Sequence, residues 1–418
     1  MAGITAITKD EDAFPGAAQT AAETDARARD HVNDRVALLR LKLTNFRNHQ
    51  SSTITPDGVS VVLCGANGAG KTNVLEAVSF LAPGRGLRRA TLSEVTYADA
   101  GCDLAPAGRV WAVAARLDGG GDPVDLGTGL DPDHQGARER RVIRVDGVNE
   151  RAQSALCEHA AVVWLTPQMD GLFIEGPGGR RRFLDRLVYA ADPAHAGRVS
   201  AYEQAMRERA RLLSERGVNA DPGWLDALEA RMVEKGMAVA AARRERVGRL
   251  SAFIAAAAGP FPGAELWLSG GPEVWLDEGP ALAAEDRFKD ALKRNRSADA
   301  ADGRTATGPH RTDLAVRHAA KGRDAAQCST GEQKALLIAL VLAHARMQAA
   351  EQGRVPMLLL DEIAAHLDTH KRAALFDMIN DLGAQAWMTG TDAGLFEGMH
   401  GRAAFFTVSD GTIDAAGA

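Results

Sequence analysis

The sequence contains few cysteines and no long apolar run. Its four cysteines form no C-x-x-C motif and lie far apart, at positions 64, 102, 157 and 328. We therefore expect no disulfide framework and no zinc cluster, and a reducing, cytoplasmic location fits this usage. The longest apolar stretch, residues 335–345, is shorter than the roughly 18 residues that cross a membrane. Because the N-terminal residues also lack a signal-peptide pattern, the sequence predicts no contact with a membrane.

The chain also lacks an excess of positive charge. It carries 49 Lys and Arg against 55 Asp and Glu, a formal net charge of −6. This balance argues against a protein that binds nucleic acid through a globally basic surface. Residues 1–34 hold seven acidic and three basic side chains, which leaves −2 for the rest of the chain. The body is nearly neutral, so local patches decide what it binds.

The apolar pattern divides the 418 residues into three parts. Residues 1–34 have no sustained apolar period and predict a disordered tail. Residues 36–175, together with residues 303–418, alternate apolar strands with helices and turns. Between them, residues 176–302 have mainly helical patterns. This order predicts an α/β fold with an inserted, mainly helical second domain.

The inserted region is locally basic. Residues 180–250 carry 15 basic and 10 acidic side chains, a net charge of +5. Their apolar spacing predicts long helices that break near Gly217. Two apolar runs further on, residues 265–268 and 274–276, predict short strands.

A glycine-rich loop follows the apolar run 59–64 and precedes a helical pattern that begins at Thr72. It matches the pattern G-x-x-x-x-G-K-[ST], which indicates a phosphate loop when it lies between a strand and a helix, as it does here. Glycines let the backbone N–H groups turn towards phosphate oxygens, and the helix N-terminus adds positive potential. Lys71 supplies a full positive charge, and Thr72 supplies a magnesium ligand. The predicted nucleotide-binding residues are Gly65, Ala66, Asn67, Gly68, Ala69, Gly70, Lys71 and Thr72.

A second motif lies near the C-terminus, where the apolar run 357–360 ends in Asp361 and Glu362. In a phosphate-loop protein the first carboxylate holds the magnesium shell, and a Glu directly after it can polarise the attacking water. Two acids at a strand end are often merely solvated, but the phosphate loop favours the functional interpretation here. We therefore predict Glu362 and Lys71 as catalytic residues and Asp361 as a metal ligand with Thr72.

Ser329 and Gly331 form a Ser-x-Gly turn ahead of a long apolar helix pattern. Such a turn is an ordinary helix cap or an anion site. Its place before the Asp361 strand resembles the signature motif of ABC ATPases, whose Ser and Gly contact the γ-phosphate bound by the opposite subunit. By the same resemblance, Asp368 has the position of the D-loop, and Gln168 has the position of the Q-loop metal ligand.

Further stretches resemble the RecF family of recombination mediators, which are SMC-like ABC ATPases. The resemblance covers residues 36–408. The phosphate loop and the acid pair are generic, whereas Arg-Arg-Arg-Phe-Leu-Asp and Gly-Pro-His-Arg are specific to this family. The stretches that carry the resemblance are residues 41–48, 70–77, 176–185 and 308–314.

This resemblance implies the fold of an ABC-type (SMC/Rad50-like) P-loop ATPase head with an inserted helical arm. It implies a slow ATPase that binds ATP and Mg²⁺, forms a homodimer on ATP, binds single-stranded and duplex DNA at gaps, and supports RecA loading with RecR and RecO. The chain departs from the family's common pattern at Glu362, where a second Asp is usual, and at Ala365 and His366, where Ser and Glu are usual. Residues 389–392 stand where ABC proteins carry a switch histidine.

Three consecutive arginines, Arg180, Arg181 and Arg182, are the predicted DNA contacts. Neutralising several phosphates supplies most of the non-specific affinity for DNA. Arg186 and the arginines of the loop 85–89 could extend the same phosphate-binding face. DNA binding itself is implied by the family resemblance, and the charge is weaker support.

Other function classes share parts of this pattern. The ATPase subunit of a membrane transporter has the same motifs, but it gives no role to the long Arg-bearing insertion or to the Gly-Pro-His-Arg block. A long-armed SMC or Rad50-like protein would show an extended heptad repeat and a C-x-x-C hook, which this sequence lacks. A non-hydrolysing ATP sensor would not need Glu362, and a turnover measurement separates it from an ATPase.

Overall fold

The computed structural model describes residues 35–98, 109–132, 139–257 and 259–416. The predicted N-terminal tail and Cys102 lie outside these ranges. Cys64, Cys157 and Cys328 are free thiols. Within the described ranges, none of the helices combines the length and apolar character that crossing a membrane requires.

The strands follow the apolar patterns of the sequence. Continuous apolar runs form strands that are buried on both faces, and alternating runs form strands with one exposed face. The strands are β1 (Ala37–Phe46), β2 (His49–Ile54), β3 (Ser60–Cys64), β4 (Ala112–Asp118), β5 (Val124–Leu130), β6 (Arg141–Val145), β7 (Val148–Glu150), β8 (Val162–Leu165), β9 (Ala264–Ser269), β10 (Asp313–His318), β11 (Arg323–Asp324), β12 (Met357–Leu360), β13 (Ala386–Gly390), β14 (Ala403–Ser409) and β15 (Thr412–Ala415).

The α-helices begin at recognisable signals. Pro177 and Pro222 occupy first-turn positions, where the missing N–H costs nothing, and Asp221, Ser329 and Asp368 cap helices with their side chains. The helices are α1 (Lys71–Ser79), α2 (Pro177–Tyr189), α3 (His195–Arg216), α4 (Pro222–Ala256), α5 (Gly271–Glu278), α6 (Ala281–Arg294), α7 (Arg296–Asp302), α8 (Thr330–Gln352) and α9 (Thr369–Leu382).

A six-stranded central sheet has the order β15-β14-β3-β13-β12-β8. The five strands from β14 to β8 are parallel, and β15 pairs antiparallel at one edge. Because parallel strands end at the same edge, the residues after β3, β12, β13 and β8 come together there. This edge is where open α/β sheets bind their ligands.

An antiparallel outer sheet, with the order β2-β1-β4-β5-β6-β7, covers one side of the central sheet. Helix α1 lies between the two sheets and shares one hydrophobic core with β1 and β3. Phe46, Phe80 and Trp111 pack edge to face or tilted in this core, with ring centroids 5.0–5.9 Å apart. Helix α1 therefore sits on a rigid support.

Helices α2, α8 and α9 cover the opposite side of the central sheet. Their apolar side chains join those of β8, β12 and β13 in a second core, which also takes residues from the C-terminal part of α4 and from β9 and β10. Helix α2, which begins directly after the predicted limit at residue 176, therefore packs into the core of the α/β part, whereas α7, which ends at the predicted limit of residue 302, packs against α3 and α6.

Helices α3 and α4 pack as an antiparallel pair and have separate hydrophobic clusters with α6 and α7. The side chain of Arg209 is fully buried among them. It donates to Glu229 at 2.8 Å and to Asp299 at 2.6 Å. Because both carboxylates compensate the buried guanidinium, this network fixes the relative position of three helices.

One predicted strand is wrong. Residues 265–268 lie in β9, which pairs antiparallel with β10, but residues 274–276 lie in helix α5. Pro272 in the first turn starts this helix, and the fully buried Glu273 accepts a hydrogen bond from Thr312. An apolar run of three residues does not distinguish a strand from a helix turn.

Candidate functional site

The phosphate loop joins β3 to α1, and two of its glycines have no room for a side chain. A Cβ atom on Gly65 would lie 2.2 Å from the carbonyl oxygen of Val408, and one on Gly70 would lie 2.6 Å from the Asn48 amide. Gly70 also has a φ of 116°, a conformation that favours glycine. The glycines are thus required both by the loop's curvature and by its packing against β14 and the β1–β2 turn.

The side chain of Lys71 points back into the curve of this loop. Its ammonium group donates to the carbonyl oxygens of Gly65 at 2.8 Å and Ala66 at 3.0 Å. It lies 3.7 Å from a carboxylate oxygen of Glu362, and the Lys71 side chain is only 4% exposed. A full positive charge is therefore fixed inside the loop, where anionic phosphate groups would meet it.

Asp361 follows β12 and accepts two hydroxyl hydrogen bonds on the same oxygen. Thr72 donates to its Oδ1 atom at 2.9 Å, and Thr389, at the end of β13, donates at 2.7 Å. The strand pairing thus brings together residues that are 289 positions apart in sequence. A carboxylate beside a threonine hydroxyl is an oxygen donor set that suits Mg²⁺, so these residues fit the metal ion that the phosphate loop implies.

Glu362 has a strained backbone. Its φ is 53°, in the left-handed region, which costs a non-glycine residue about 1 kcal/mol or more. The N–H group of Glu362 donates to Oγ1 of Thr389 at 2.9 Å. This bond holds the turn and leaves the Glu362 carboxylate 26% exposed and facing Lys71. The carboxylate is therefore available at the mouth of the loop.

The turn between β1 and β2 supports the phosphate loop from behind. The Asn48 amide donates to the carbonyl oxygen of Ala69 at 2.9 Å and accepts from Asn73 at 2.7 Å. The backbone N–H of Gly411, in the β14–β15 turn, donates to the same Ala69 oxygen at 3.1 Å. Sequence reasoning missed this role. The stretch 41–48, which contains Asn48, was interpreted only as a resemblance to a family and not as a support for the loop.

His49 fills the space between the two turns and is fully buried. One ring nitrogen lies 2.8 Å from the carbonyl oxygen of Gly411, and the other lies 3.2 Å from that of Gly70. Burial lowers the pKa of His49. Burial thus disfavours a positive charge on this imidazole behind the phosphate site.

Helix α1 is tied to its surroundings by a buried carboxylate. Glu76 is fully buried and accepts two hydrogen bonds from Arg47, each 2.8 Å long. Arg88, in the loop after α1, donates to Glu76 at 2.9 Å and to Asn73 at 2.6 Å. Two guanidinium groups thus compensate one buried carboxylate and connect the phosphate-loop helix to the loop that contains Arg88.

The Ser329 turn caps helix α8. The Ser329 hydroxyl accepts from the Glu332 N–H, and the Glu332 carboxylate accepts from the Ser329 N–H, which together form a capping box. Lys321 also donates to Glu332, and hydrogen bonds from Lys321 and Ser329 lower the Glu332 pKa to about 2. Nothing lies within 4 Å of a Cβ built on Gly331. The turn is rigid, open to solvent, and not hydrogen-bonded to the phosphate loop within the described chain.

Two predicted site residues lie in short turns near the central edge. Gln168 is exposed in a turn after β8, whose Leu165 pairs with Leu360 of β12. Gln168 and Asp361 therefore follow neighbouring strand ends. Asp368 is exposed and caps α9 by accepting from the N–H of Lys371 at 2.8 Å.

The three predicted DNA-contact arginines have different surroundings. Arg180 donates to both carboxylate oxygens of Asp313, at 2.7 and 2.9 Å, and to three backbone carbonyl groups. Arg181 donates to the carbonyl oxygen of Thr312 at 2.8 Å. Arg182 is exposed and forms no hydrogen bond or ion pair with any residue that the structure describes.

Comparisons with known proteins identify related sequences and folds. Residues 40–91 match a family model described as an AAA domain. The chain is 51% identical over 381 residues to the DNA replication and repair protein RecF of Rhizobium rhizogenes, an alignment that covers 91% of this chain and 98% of that protein.

Two solved structures show the same fold. A structure of the recombination mediator protein RecF with an ATP analogue has a TM-score of 0.78 at 22% identity, covering 93% of this chain and 100% of that one. The SMC head domain of Pyrococcus furiosus, bound to a domain of ScpA, has a TM-score of 0.50 at 18% identity, covering 91% of this chain and 96% of that one. The predicted ABC-type ATPase head is therefore confirmed as the fold.

Proposed function

Because this chain belongs to the RecF family of DNA replication and repair proteins, we propose that it is an ATP-dependent DNA-binding recombination mediator. It binds single-stranded and duplex DNA at gaps, dimerises on ATP and supports RecA loading. The observation that carries the proposal is the site in which Lys71, Thr72, Asp361 and Glu362 meet at one edge of the central sheet. Family membership favours this role over that of a transporter subunit.

ATP binding is assigned to the phosphate loop. The backbone N–H groups of residues 65–72 and the ammonium group of Lys71 would hold the phosphates. Thr72 and Asp361, with Gln168 at the neighbouring strand end, would hold Mg²⁺, which neutralises phosphate charge when bound. In the structure Lys71 donates to loop carbonyl groups, so phosphate oxygens would replace these acceptors without moving the side chain far.

Hydrolysis is assigned to Glu362. A carboxylate at the mouth of the loop can accept a proton from the attacking water, which typically contributes about 10²–10⁴-fold to a rate. The hydrogen bond from the Glu362 N–H to Thr389 keeps this carboxylate next to Lys71. Asp361 serves the metal, so the two adjacent acids have separate roles. We propose a slow ATPase whose turnover releases the dimer from DNA.

The dimer is needed to complete the site. In this proposal, Ser329 and Gly331 of one subunit contact the γ-phosphate held by Lys71 of the other, and Asp368 lies at the subunit interface. A two-fold axis forms two such composite sites at once. The γ-phosphate then supplies the interaction that favours the dimer, and hydrolysis removes it. The open position of Gly331 supports this role.

DNA, RecR, RecO and RecA-type proteins are the proposed partners. A protein that acts on chromosomal gaps with these partners would work in the cytoplasm of a bacterium. DNA contact is assigned to the basic part of the helical region, residues 176–302, with Arg180, Arg181 and Arg182 as the initial candidates.

Lys71→Met tests the proposal. The change removes the only full charge that the phosphate loop contributes, so we expect ATP-dependent dimerisation and ATP-dependent DNA binding to be lost together. Binding of a gapped duplex, measured by fluorescence anisotropy with and without ATP, checks this. Lys42→Met, on an exposed position of β1, is the matched control. A Lys71→Met variant that bound DNA in response to ATP as the wild type does would contradict the proposal.

A further inference from the structure

A cleft separates the loop after α1 from the helical region. Its volume is about 260 Å³, and it lies where α2, α3, α4 and the segment 308–311 meet. Four of its lining residues are arginines, Arg89, Arg181, Arg182 and Arg243. An arginine can bind an anion here only if its guanidinium N–H groups do not already donate to acceptors within the protein.

Several arginines near the cleft have structural roles. Arg243 is 3% exposed and donates to Asp185, Glu273 and the Pro309 carbonyl group. Arg88, on the loop next to Arg89, is occupied by Glu76 and Asn73. Arg180 is occupied by Asp313 and three carbonyl groups. These three side chains have carboxylate partners, so they are not free to bind an anion.

Arg89 and Arg182 are different. Both are exposed, and neither forms a hydrogen bond or an ion pair with any residue in the described ranges. Arg89 also has a φ of 59°, a left-handed conformation that costs a non-glycine residue about 1 kcal/mol or more. The loop therefore holds this arginine at the cleft in an unfavourable conformation.

A further arginine, which does not line the cleft, adds positive charge next to Arg89. Arg186, one turn along α2 from Arg182, stacks on Trp164 with its guanidinium carbon 4.4 Å from the ring centroid. It forms no ion pair with a carboxylate that the structure describes. Burial and the neighbouring Arg89 lower the pKa of Arg186 to about 10. Two guanidinium groups thus repel each other here, an arrangement that an anion would stabilise.

The other polar side chains that line the cleft have partners within the protein. His310 faces the Thr305 carbonyl oxygen with Nε2 at 2.9 Å, so Nε2 is the protonated nitrogen and Nδ1 accepts from the Tyr202 hydroxyl at 2.7 Å. Burial lowers the pKa of His310 and raises that of Tyr202, which keeps both neutral. The two lining carboxylates are paired, Asp185 with Arg243 and His195, and Glu203 with Arg207 at 3.6 Å.

We propose that this cleft binds a backbone phosphate of nucleic acid, with Arg89 and Arg182 as its direct contacts and Arg181 at its side. The inference rests on the proposed function, DNA binding, and assigns it to a site. Among the predicted DNA-contact arginines, Arg89 takes the place of Arg180, which lies 91 positions later in the sequence. Guanidinium groups suit phosphate because their planar donors can bind two of its oxygens.

The position of Arg89 also connects the cleft to the nucleotide site. Its neighbour Arg88 is bound to Glu76 and Asn73 of α1, and Asn73 donates to Asn48, which holds the phosphate loop. The position of α1 therefore helps to set the position of the Arg89 side of the cleft relative to α2. Phosphate held between Arg89 and Arg182 would in turn favour one position of α1.

The test compares Arg89→Ala, Arg182→Ala and the double variant with Arg211→Ala and Arg231→Ala, two exposed arginines on α3 and α4 outside the cleft. Duplex DNA binding with ATP is measured at several salt concentrations. Loss of the single phosphate contact in the double variant should reduce the slope of log K against log salt by about 0.9, and each single variant should lose part of that amount. The control variants should keep the wild-type slope, and Arg89→Lys with Arg182→Lys should restore most of it.

Inorganic tripolyphosphate separates nucleic acid from a small anion. All the variants keep the phosphate loop, so a difference in thermal stabilisation by tripolyphosphate reports on the cleft. An unchanged salt slope in the double variant overturns the proposal. If the double variant keeps the salt slope but is no longer stabilised by tripolyphosphate, the cleft is a site for a small anion and not for nucleic acid. A wild-type protein that bound no DNA would contradict the proposed function itself. A slope lost equally in the control variants would show a diffuse charge effect and also overturn the assignment. Circular dichroism melting confirms that each variant is folded.

Discussion

At the scale of single residues, Thr389 holds the two acids of the site in place. Its hydroxyl donates to Asp361 and accepts from the Glu362 N–H, and the side chain is fully buried. One hydroxyl thus orients the metal-binding carboxylate and maintains the strained backbone of the proposed base. The residue itself need not touch ATP, so it is a positioning residue.

Thr389→Val should therefore change the metal dependence of the reaction. The valine keeps the shape but removes the hydrogen-bond acceptor of the Glu362 N–H and the hydroxyl donor to Asp361, which frees Asp361 to rotate. Loss of such a supporting contact costs about 10- to 100-fold in metal affinity or activity. We expect a higher Mg²⁺ requirement for ATP binding and a lower kcat, and we expect Thr389→Ser to restore both. Mg²⁺ titration of nucleotide binding checks this. An unaltered Mg²⁺ dependence in Thr389→Val would show that Asp361 is oriented without the hydroxyl.

At the scale of secondary-structure elements, the β1–β2 turn acts as a support for the phosphate loop. In this turn Asn48 donates a hydrogen bond to the Ala69 carbonyl oxygen of the loop, and Arg47 donates to Glu76 of α1. Both contacts are made to elements that form the nucleotide site, and the turn itself lies behind them. The turn therefore sets the shape of the loop before ATP binds, which reduces the ordering cost of binding.

Asn48→Ala should weaken ATP binding although the residue lies behind the loop. It removes the hydrogen bonds to Ala69 and Asn73. A net loss of about 1 kcal/mol corresponds to roughly fivefold weaker binding. The matched control is Asn149→Ala, at an exposed position of the edge strand β7. Equilibrium binding of a fluorescent ATP analogue measures the difference. Equal affinities in the two variants would show that the loop keeps its shape without Asn48.

Local patterns in the sequence predicted most of the elements but not the contacts between them. The apolar runs before the phosphate loop and before Asp361 were sufficient to place β3 and β12, because central strands are buried on both faces. The role of Thr389 could not be predicted, since it depends on which strand lies next to β12. The contact from Gly411 to Ala69 likewise joins turns that only the folded sheet brings together. Helix α5 was missed because its apolar run is too short to have a period.

At the scale of the whole molecule, the nucleotide site of one subunit is half of the proposed composite site, which a second subunit completes with its Ser329 turn. Ser329→Arg should leave ATP binding to the monomer intact but abolish dimerisation and turnover, because the added side chain would occupy the position of the partner's phosphate. Mixing this variant with Lys71→Met should restore at most one composite site. Sedimentation with ATP and Mg²⁺ measures the dimer, and Ser214→Arg, at an exposed position of α3, is the control. A Ser329→Arg variant that dimerised and hydrolysed ATP as the wild type does would exclude this arrangement.

The phosphate loop also sets a limit on how early in its synthesis the protein can bind a nucleotide. The loop lies at residues 65–70, but Asp361, Val408 and Gly411 contact it or its helix, and Thr389 in turn holds Asp361. A chain emerging from the ribosome would therefore carry an unsupported loop until residue 411 had been made. Contacts of such large sequence separation form late in folding. Nascent chains should consequently acquire ATP affinity only after residue 411 has emerged, and products of synthesis interrupted before that residue would not compete for ATP.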